Sequence, residues 1–245
     1  MKYVISIVLI IMNHVLLAQN PSGHELLKLI DENLNSETKI VTSKMIIKGR
    51  RGSRTITSKS WIEGEEKSFT EYLSPPREQG TKMLKIEDNL WMYSPSTDRI
   101  IKISGHMLRQ SVMGSDLSYE DMMEDPRLEN HYDPVVTRTD TLNGTECWIM
   151  ELTATTTDVA YHFRKMWIDK ETYVPLKEEL YAKGGKLLKK TEVTEVKKVE
   201  GRWYPFKMVF KDMLKRGEGT EFIIESITFN KDIPEYLFSK AALKR

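Results

Sequence analysis

The chain has 245 residues, 40% hydrophobic and 30% charged, which fits a soluble globular protein of one large all-β domain or two small ones. Its 37 Lys and Arg stand against 36 Asp and Glu. That balance speaks against nucleic acid as a partner, because phosphate binding draws on a surplus of cations. The single cysteine, Cys147, excludes an intramolecular disulfide, so a core and not covalent staples must hold the fold.

Lys2, the apolar run from Tyr3 to Leu17 and the small Ala18 read as a secretory signal peptide cleaved between Ala18 and Gln19. The run is short for a membrane span, and Asn13 and His14 interrupt it. The alternative is an uncleaved N-terminal anchor. No Cys follows the cleavage site to carry a lipid. With Lys2 removed, the expected domain, residues 19–245, carries 36 basic and 36 acidic residues.

The domain opens with a capping box, Ser22 and Glu25. Leu26, Leu27, Ile30 and Leu34 then recur at helical spacing, with Leu29 widening the stripe. The spacing predicts an amphipathic helix over Gly23–Leu34. Such a helix needs an apolar surface to cover, either as a fixed plug or as a movable lid. Strand patterns follow at 38–48, 54–63 and 67–73. The stretch from Tyr72 to Met123 is the densest in the chain. Pro75-Pro76 breaks the pattern, and a meander runs through Met83, Leu84 and Ile86, then Leu90–Tyr93, then Arg99–Ile103. A Met-bearing polar loop leads to a short helix capped by Ser118 and Asp121, with Pro126 ending it. Residues 127–134 read as a loop.

The second half is a series of hairpins. Asn143-Gly144, Asp169-Lys170-Glu171, Gly184-Gly185, Gly201 and the Gly217/Gly219 pair mark the turns. Strands joined this way are antiparallel neighbours. Tyr236, Leu237, Phe238, Ala241, Ala242 and Leu243 form a terminal apolar cap. The expected fold class is mainly β: one half-open antiparallel barrel, a curled sheet of about ten or eleven strands. Two helical elements cannot cover both faces of a sheet that size.

Catalytic constellations are not legible. His24, His106, His131 and His162 are scattered singly, with no H-E-x-x-H, no G-x-S-x-G and no Gly-rich phosphate loop. Glu120, Asp121 and Glu124 at a helix start answer to the helix dipole. The expectation is a protein without enzymatic activity, cofactor or metal. Apolar patterning points instead to ligand burial. Tyr204, Phe206, Met208 and Phe210 share one strand face. Leu90–Tyr93 is apolar on both faces, more than one core needs. Met107, Met113, Met122 and Met123 supply adaptable surface, although Met also fills irregular cores. Arg99 either completes its turn or stands at a cavity mouth. Cys147, beside Trp148, reads as a buried thiol.

The blocks SPPREQGT, LWMYSPSTDRIIKI, GSDLSYEDM, WIDKETYVPLKEELYAKGGKL and LFSKAAL resemble the outer-membrane lipoprotein-sorting protein family, relatives of the periplasmic lipoprotein carrier. That resemblance implies a half-open barrel holding an apolar ligand under a helical lid, in the periplasm. The implied ligand is a lipid or the acyl chains of a lipoprotein, with an inner-membrane transporter and an outer-membrane acceptor as partners. The residues expected to line the cavity are Leu27, Ile30, Trp91, Tyr93, Met107, Met113, Tyr204, Phe206, Met208 and Phe210, with Arg99 at the mouth. The alternative function is a non-catalytic accessory module of a lipid or lipoprotein export system.

Overall fold

A computed structural model describes residues 20–49 and 52–245; the signal-peptide reading lies outside them. Helix α1 (Gly23–Leu34) precedes strands β1 (Thr38–Gly49), β2 (Gly52–Glu63), β3 (Lys67–Ser74), β4 (Lys82–Ile86), β5 (Asn89–Ser94) and β6 (Arg99–Ile103). A segment with short helical turns, including α2 (Tyr119–Met123), links these to a second run. That run is β7 (Tyr132–Leu142), β8 (Thr145–Ala154), β9 (Phe163–Asp169), β10 (Pro175–Tyr181), β11 (Leu187–Val199), β12 (Arg202–Asp212) and β13 (Thr220–Phe229).

All the strands lie in one sheet, ordered β6-β5-β4-β3-β2-β1-β13-β12-β11-β10-β9-β8-β7. Each neighbouring pair is antiparallel, including β1 with β13, which joins the two runs through Val41 opposite Ile227 and Met45 opposite Phe222. The sheet curls without closing, with β6 and β7 as its edges. Among the described residues the strands number 13 rather than ten or eleven. Strands β4 and β6 have five residues each and β5 has six, as in the meander read from the sequence.

The expected loop at 127–134 is also corrected. A 3₁₀ turn occupies Leu128–Asn130, and strand β7 has begun at Tyr132. Pro134 sits inside it without penalty, because an edge strand leaves one side of its backbone unpaired. At Asn143-Gly144 both residues have positive φ, 51° and 88°, the two-residue hairpin geometry that the dipeptide favours.

Strand alternation sorts the side chains onto two faces. The concave face takes Val41, Ser43 and Met45 from β1, opposite Ser60, Ser58 and Ile56 of β2. The same face continues through Thr70 and Tyr72 to Met83, then Met92 and Leu90, then Ile101 and Ile103. The opposite face of this arm carries Trp61, Phe69, Leu84, Trp91 and Tyr93. It is covered by the C-terminal 3₁₀ turns Glu235–Phe238 and Lys240–Lys244, which bury Leu237, Phe238, Ala242 and Leu243 against it. The two-faced strand β5 thus has two proteinaceous covers.

Helix α1 begins with the expected capping box. Its Leu26, Leu27 and Ile30 pack against Tyr132, Met150, Leu152, Met166 and Ile168 of β7, β8 and β9. The helix is fastened at its C-terminal end as well. The amide of Asn33 donates to the Thr172 carbonyl at 2.8 Å, and the Arg202 guanidinium donates to the Glu32 carbonyl at 2.8 Å.

Candidate ligand cavity

The residues between β6 and β7 form the second cover. They leave one sheet edge at Ile103 and return to the other at Tyr132, crossing the concave face. Val112 and Tyr119 are buried from this segment, with Met107, Leu108, Met113, Leu117 and Met123 half-buried around them. Their floor is Met45, Ile56, Tyr72, Met83, Leu90 and Ile103. Between cover and floor lies a chamber of about 210 Å³, walled chiefly by Met45, Ile56, Tyr72, Val112, Phe210 and Phe222. Four Ser and Thr hydroxyls also border it. They are satisfied in pairs, Ser43 with Ser58 at 3.2 Å and Ser60 with Thr70 at 2.8 Å, so they add little polarity to the wall.

Leu117, Met122 and Phe210 also wall a second chamber of about 220 Å³, whose other lining is mostly charged, with Leu180 and Thr191 among it. Its centre is Arg164, 4% exposed. The guanidinium pairs with Glu178 at 2.9 Å and with Glu124, and lies 4.8 Å from the Tyr132 ring and 5.6 Å from the Tyr161 ring. Its Nε has no hydrogen-bond partner among the described residues. Beside it, Asp121 accepts from the Ser118 backbone at 2.6 Å, from Lys189 and from the Tyr161 hydroxyl. Burial opposes the Asp121 charge. The Lys189 ammonium and these hydrogen bonds outweigh it and hold the carboxyl below the usual range. Burial, and then the Asp121 charge, push the Tyr161 hydroxyl well above its ordinary value, so it remains a donor.

Besides its apolar packing on the floor, the cover is fastened by polar contacts. Arg54 of β2 donates to the Met113 carbonyl, where Met113 has a φ of 51°, and pairs with Glu78 at 3.1 Å. The Asp116 carboxylate accepts from the Thr220 hydroxyl at 2.8 Å and from the Asp212 backbone N–H at 3.0 Å. Lys215 donates to Ser111 and to the Ser115 carbonyl. Contacts of this kind can be exchanged for water at little net loss, unlike buried apolar packing.

The expected lining residues do not all meet here. Met107 and Met113 belong to the cover, and Phe210 separates the two chambers. Tyr204 and Phe206 share the concave face with Met208 and Phe210. They pack farther along it with Val41, Ile224, Ile227 and Phe229, the Tyr204 and Phe229 rings 5.6 Å apart. Leu27 and Ile30 are core on the β7–β9 arm. Trp91 and Tyr93 face away from the chambers, under the C-terminal cap. Arg99 is exposed at the start of edge strand β6 and walls neither chamber. Sequence reasoning missed Met45, Ile56, Tyr72 and Phe222, and the whole charged chamber. The alternation Val41-x-Ser43-x-Met45 was the available signal for the first group.

A curled, unclosed antiparallel sheet with helical covers on its concave face defines a lipoprotein-carrier-like half-barrel. Residues 64–245 match a family model whose description reads "Uncharacterized protein", and the chain belongs to that family. Solved structures share the fold. A protein described as an outer membrane lipoprotein-sorting protein domain, from Vibrio parahaemolyticus, is 26% identical with a TM-score of 0.77, over 91% of this chain and 100% of that one. A DUF1329 family protein from Desulfovibrio piger is 24% identical with a TM-score of 0.81, over 90% and 97%. A LolA superfamily protein from Nitrosomonas europaea is 21% identical with a TM-score of 0.76, over 91% and 100%. The resemblance read from the sequence therefore extends to the structure. No curated protein matches the chain. Among the described residues no helix is long and apolar enough to cross a membrane.

Proposed function

We propose that this protein is a periplasmic carrier that shields the acyl part of a lipid or lipoprotein during transfer toward the outer membrane. One observation carries the reading: an apolar chamber on the concave face, roofed by a Met-rich segment that is tied to the sheet by exchangeable polar contacts as well as apolar packing. Burial alone supplies the work, about 0.8 kcal/mol for each methylene removed from water. The chamber of about 210 Å³ is smaller than the roughly 300–1,000 Å³ of ordinary small-molecule sites, so admitting an acyl chain requires the roof to move outward. Met122, Met113 and Met107 suit that role, because unbranched thioether side chains repack around varied apolar partners. The lipoprotein-sorting description of the Vibrio structure supports the choice of cargo.

The test is organic extraction of protein purified from the exported fraction, followed by mass spectrometry, and displacement of a fluorescent fatty acid from the delipidated protein. The reading expects bound lipid near one per chain and saturable displacement. A folded, delipidated protein that takes up no apolar probe would end it and leave the accessory-module alternative.

A further inference from the structure

Within the balanced overall charge, the hairpin tips at the middle of one rim of the sheet are basic. Because every neighbouring pair is antiparallel, the hairpins alternate between two rims of the sheet. On one rim, β1–β2, β12–β13 and β10–β11 place three tips side by side. Their adjacency is fixed by Lys48–Glu218 at 2.7 Å and by the Met213 backbone N–H on the Leu188 carbonyl at 2.8 Å. These tips contribute Lys48, Lys183, Lys186, Lys215 and Arg216. Lys183, Lys186 and Arg216 are exposed and form no ion pair among the described residues. The acids at these tips are already engaged, Glu218 by Lys48 and Asp212 by Lys215 at 3.8 Å. The turns of the opposite rim carry exposed Glu66, Glu87, Asp88, Glu171 and Glu200, beside exposed Lys231 beyond β13.

At the centre of the basic rim stand two apolar side chains. Leu214 is 62% exposed and Met213 is 40% exposed. Hairpin tips ordinarily carry Gly, Asn, Asp and Ser, and adjacent exposed Met and Leu need an apolar partner. Cations around an apolar tip match one surface chemically: anionic headgroups over an acyl layer. Nucleic acid or an acidic protein would satisfy the cations and leave Met213 and Leu214 in water.

We propose that this rim docks on an anionic lipid bilayer, with Met213 and Leu214 entering the headgroup layer while the surrounding Lys and Arg side chains hold lipid phosphates. The inference goes beyond the carrier reading and does not depend on what the chambers hold. Lys215 links the two regions, since the same ammonium is bonded to Ser111 and Ser115 of the roof.

The experiment is co-sedimentation of the protein with vesicles of phosphatidylglycerol and phosphatidylcholine, against vesicles of phosphatidylcholine alone. Binding to the anionic vesicles, weakened by added salt, is expected. Combining Lys183→Gln, Lys186→Gln and Arg216→Gln should lower the partition coefficient about a hundredfold, roughly a factor of five for each charge. Met213→Ser with Leu214→Ser should lower it about tenfold with salt sensitivity retained. All five positions lie at turns, so circular dichroism and fatty-acid displacement should match wild type. Vesicle binding persists in these terms even if no apolar probe enters the chambers, which separates failure here from failure of the carrier reading. Equal binding to both vesicle types, or indifference to the Gln substitutions, would overturn the inference. So would tight binding to a DNA duplex together with vesicle binding that ignores the Ser substitutions.

Discussion

Leu27→Ala and Met122→Ala together decide which helical element moves. Leu27 is 2% exposed and packs within a cluster of eight buried residues on the β7–β9 arm. Truncating such a side chain removes its transfer energy and leaves a cavity that neighbours fill incompletely, at a cost of about 2–5 kcal/mol. Ile30 would behave alike, and the pair would consume much of a total stability of about 5–15 kcal/mol, so single substitutions are preferable. With a urea m-value near 3 kcal/mol/M, Leu27→Ala lowers the midpoint by about 1 M. Met122 is 36% exposed, so its truncation should cost under about 1 kcal/mol. It walls both chambers, however, so the change should alter uptake of a fluorescent fatty acid. Urea unfolding and probe displacement on the same samples separate the effects. Leu27→Ala should lose stability with unchanged affinity per folded molecule, and Met122→Ala should do the reverse. If Leu27→Ala costs under about 1 kcal/mol and changes probe retention, helix α1 is the moving lid and the assignment made here is wrong.

Gly144→Val should destabilise by about 1 kcal/mol or more, read as a lower denaturation midpoint; a Cβ there meets nothing within 4 Å, so the cost comes from the φ of 88°. Gly23→Ala should also destabilise, although Ala is the better helix former, because the added Cβ would lie 2.2 Å from the Pro134 carbonyl oxygen; intrinsic helix propensity alone predicts the opposite sign. Asp31 is raised to about 6, first by burial and then by the Glu129 charge. A carboxyl whose folded pKa lies above its unfolded value loses stability as pH climbs from about 3.8 to 6, and the loss is complete above 6. Asp31→Asn should therefore raise the urea midpoint at pH above 6 and have no effect below the unfolded pKa; a pH-independent effect would assign the residue a different role.

Much of the fold was legible because the local signals agree with the global one. The Ser22–Glu25 and Ser118–Asp121 capping boxes both form, since each needs only residues three apart. The Asn143-Gly144 turn likewise depends on two adjacent conformations. The cavity was less legible. Period two shows that Leu90 and Met92 oppose Trp91 and Tyr93, but not which pair faces inward, because both faces are apolar. The answer rests on the C-terminal turns, which reach β5 from more than a hundred residues away. The charged chamber was invisible for the same reason. Asp121 and Lys189 are 68 positions apart, and Arg164 and Glu124 are 40 apart. Read singly, Asp121 and Glu124 looked like dipole-matched helix residues.

The strand order constrains how a ligand could enter. Pairing β1 with β13 makes the centre of the sheet from the two ends of the strand sequence and leaves β6 and β7 as edges. The roof is the chain's own link between those edges, so it is anchored at both ends. It leaves β6 on the acidic rim and enters β7 on the basic one, because the strands alternate direction. Such a roof cannot swing out as a hinged flap. It can bow away from the floor, or the two edges can spread and carry it with them. Both motions break the same contacts, Arg54 to Met113, Lys189 to Asp121 and Thr220 to Asp116, and part the apolar packing of Val112 and Tyr119 on the floor, while sparing the apolar cluster under α1. On the carrier reading proposed above, opening is expected on the side of the molecule under the roof, with the core beneath α1 left packed.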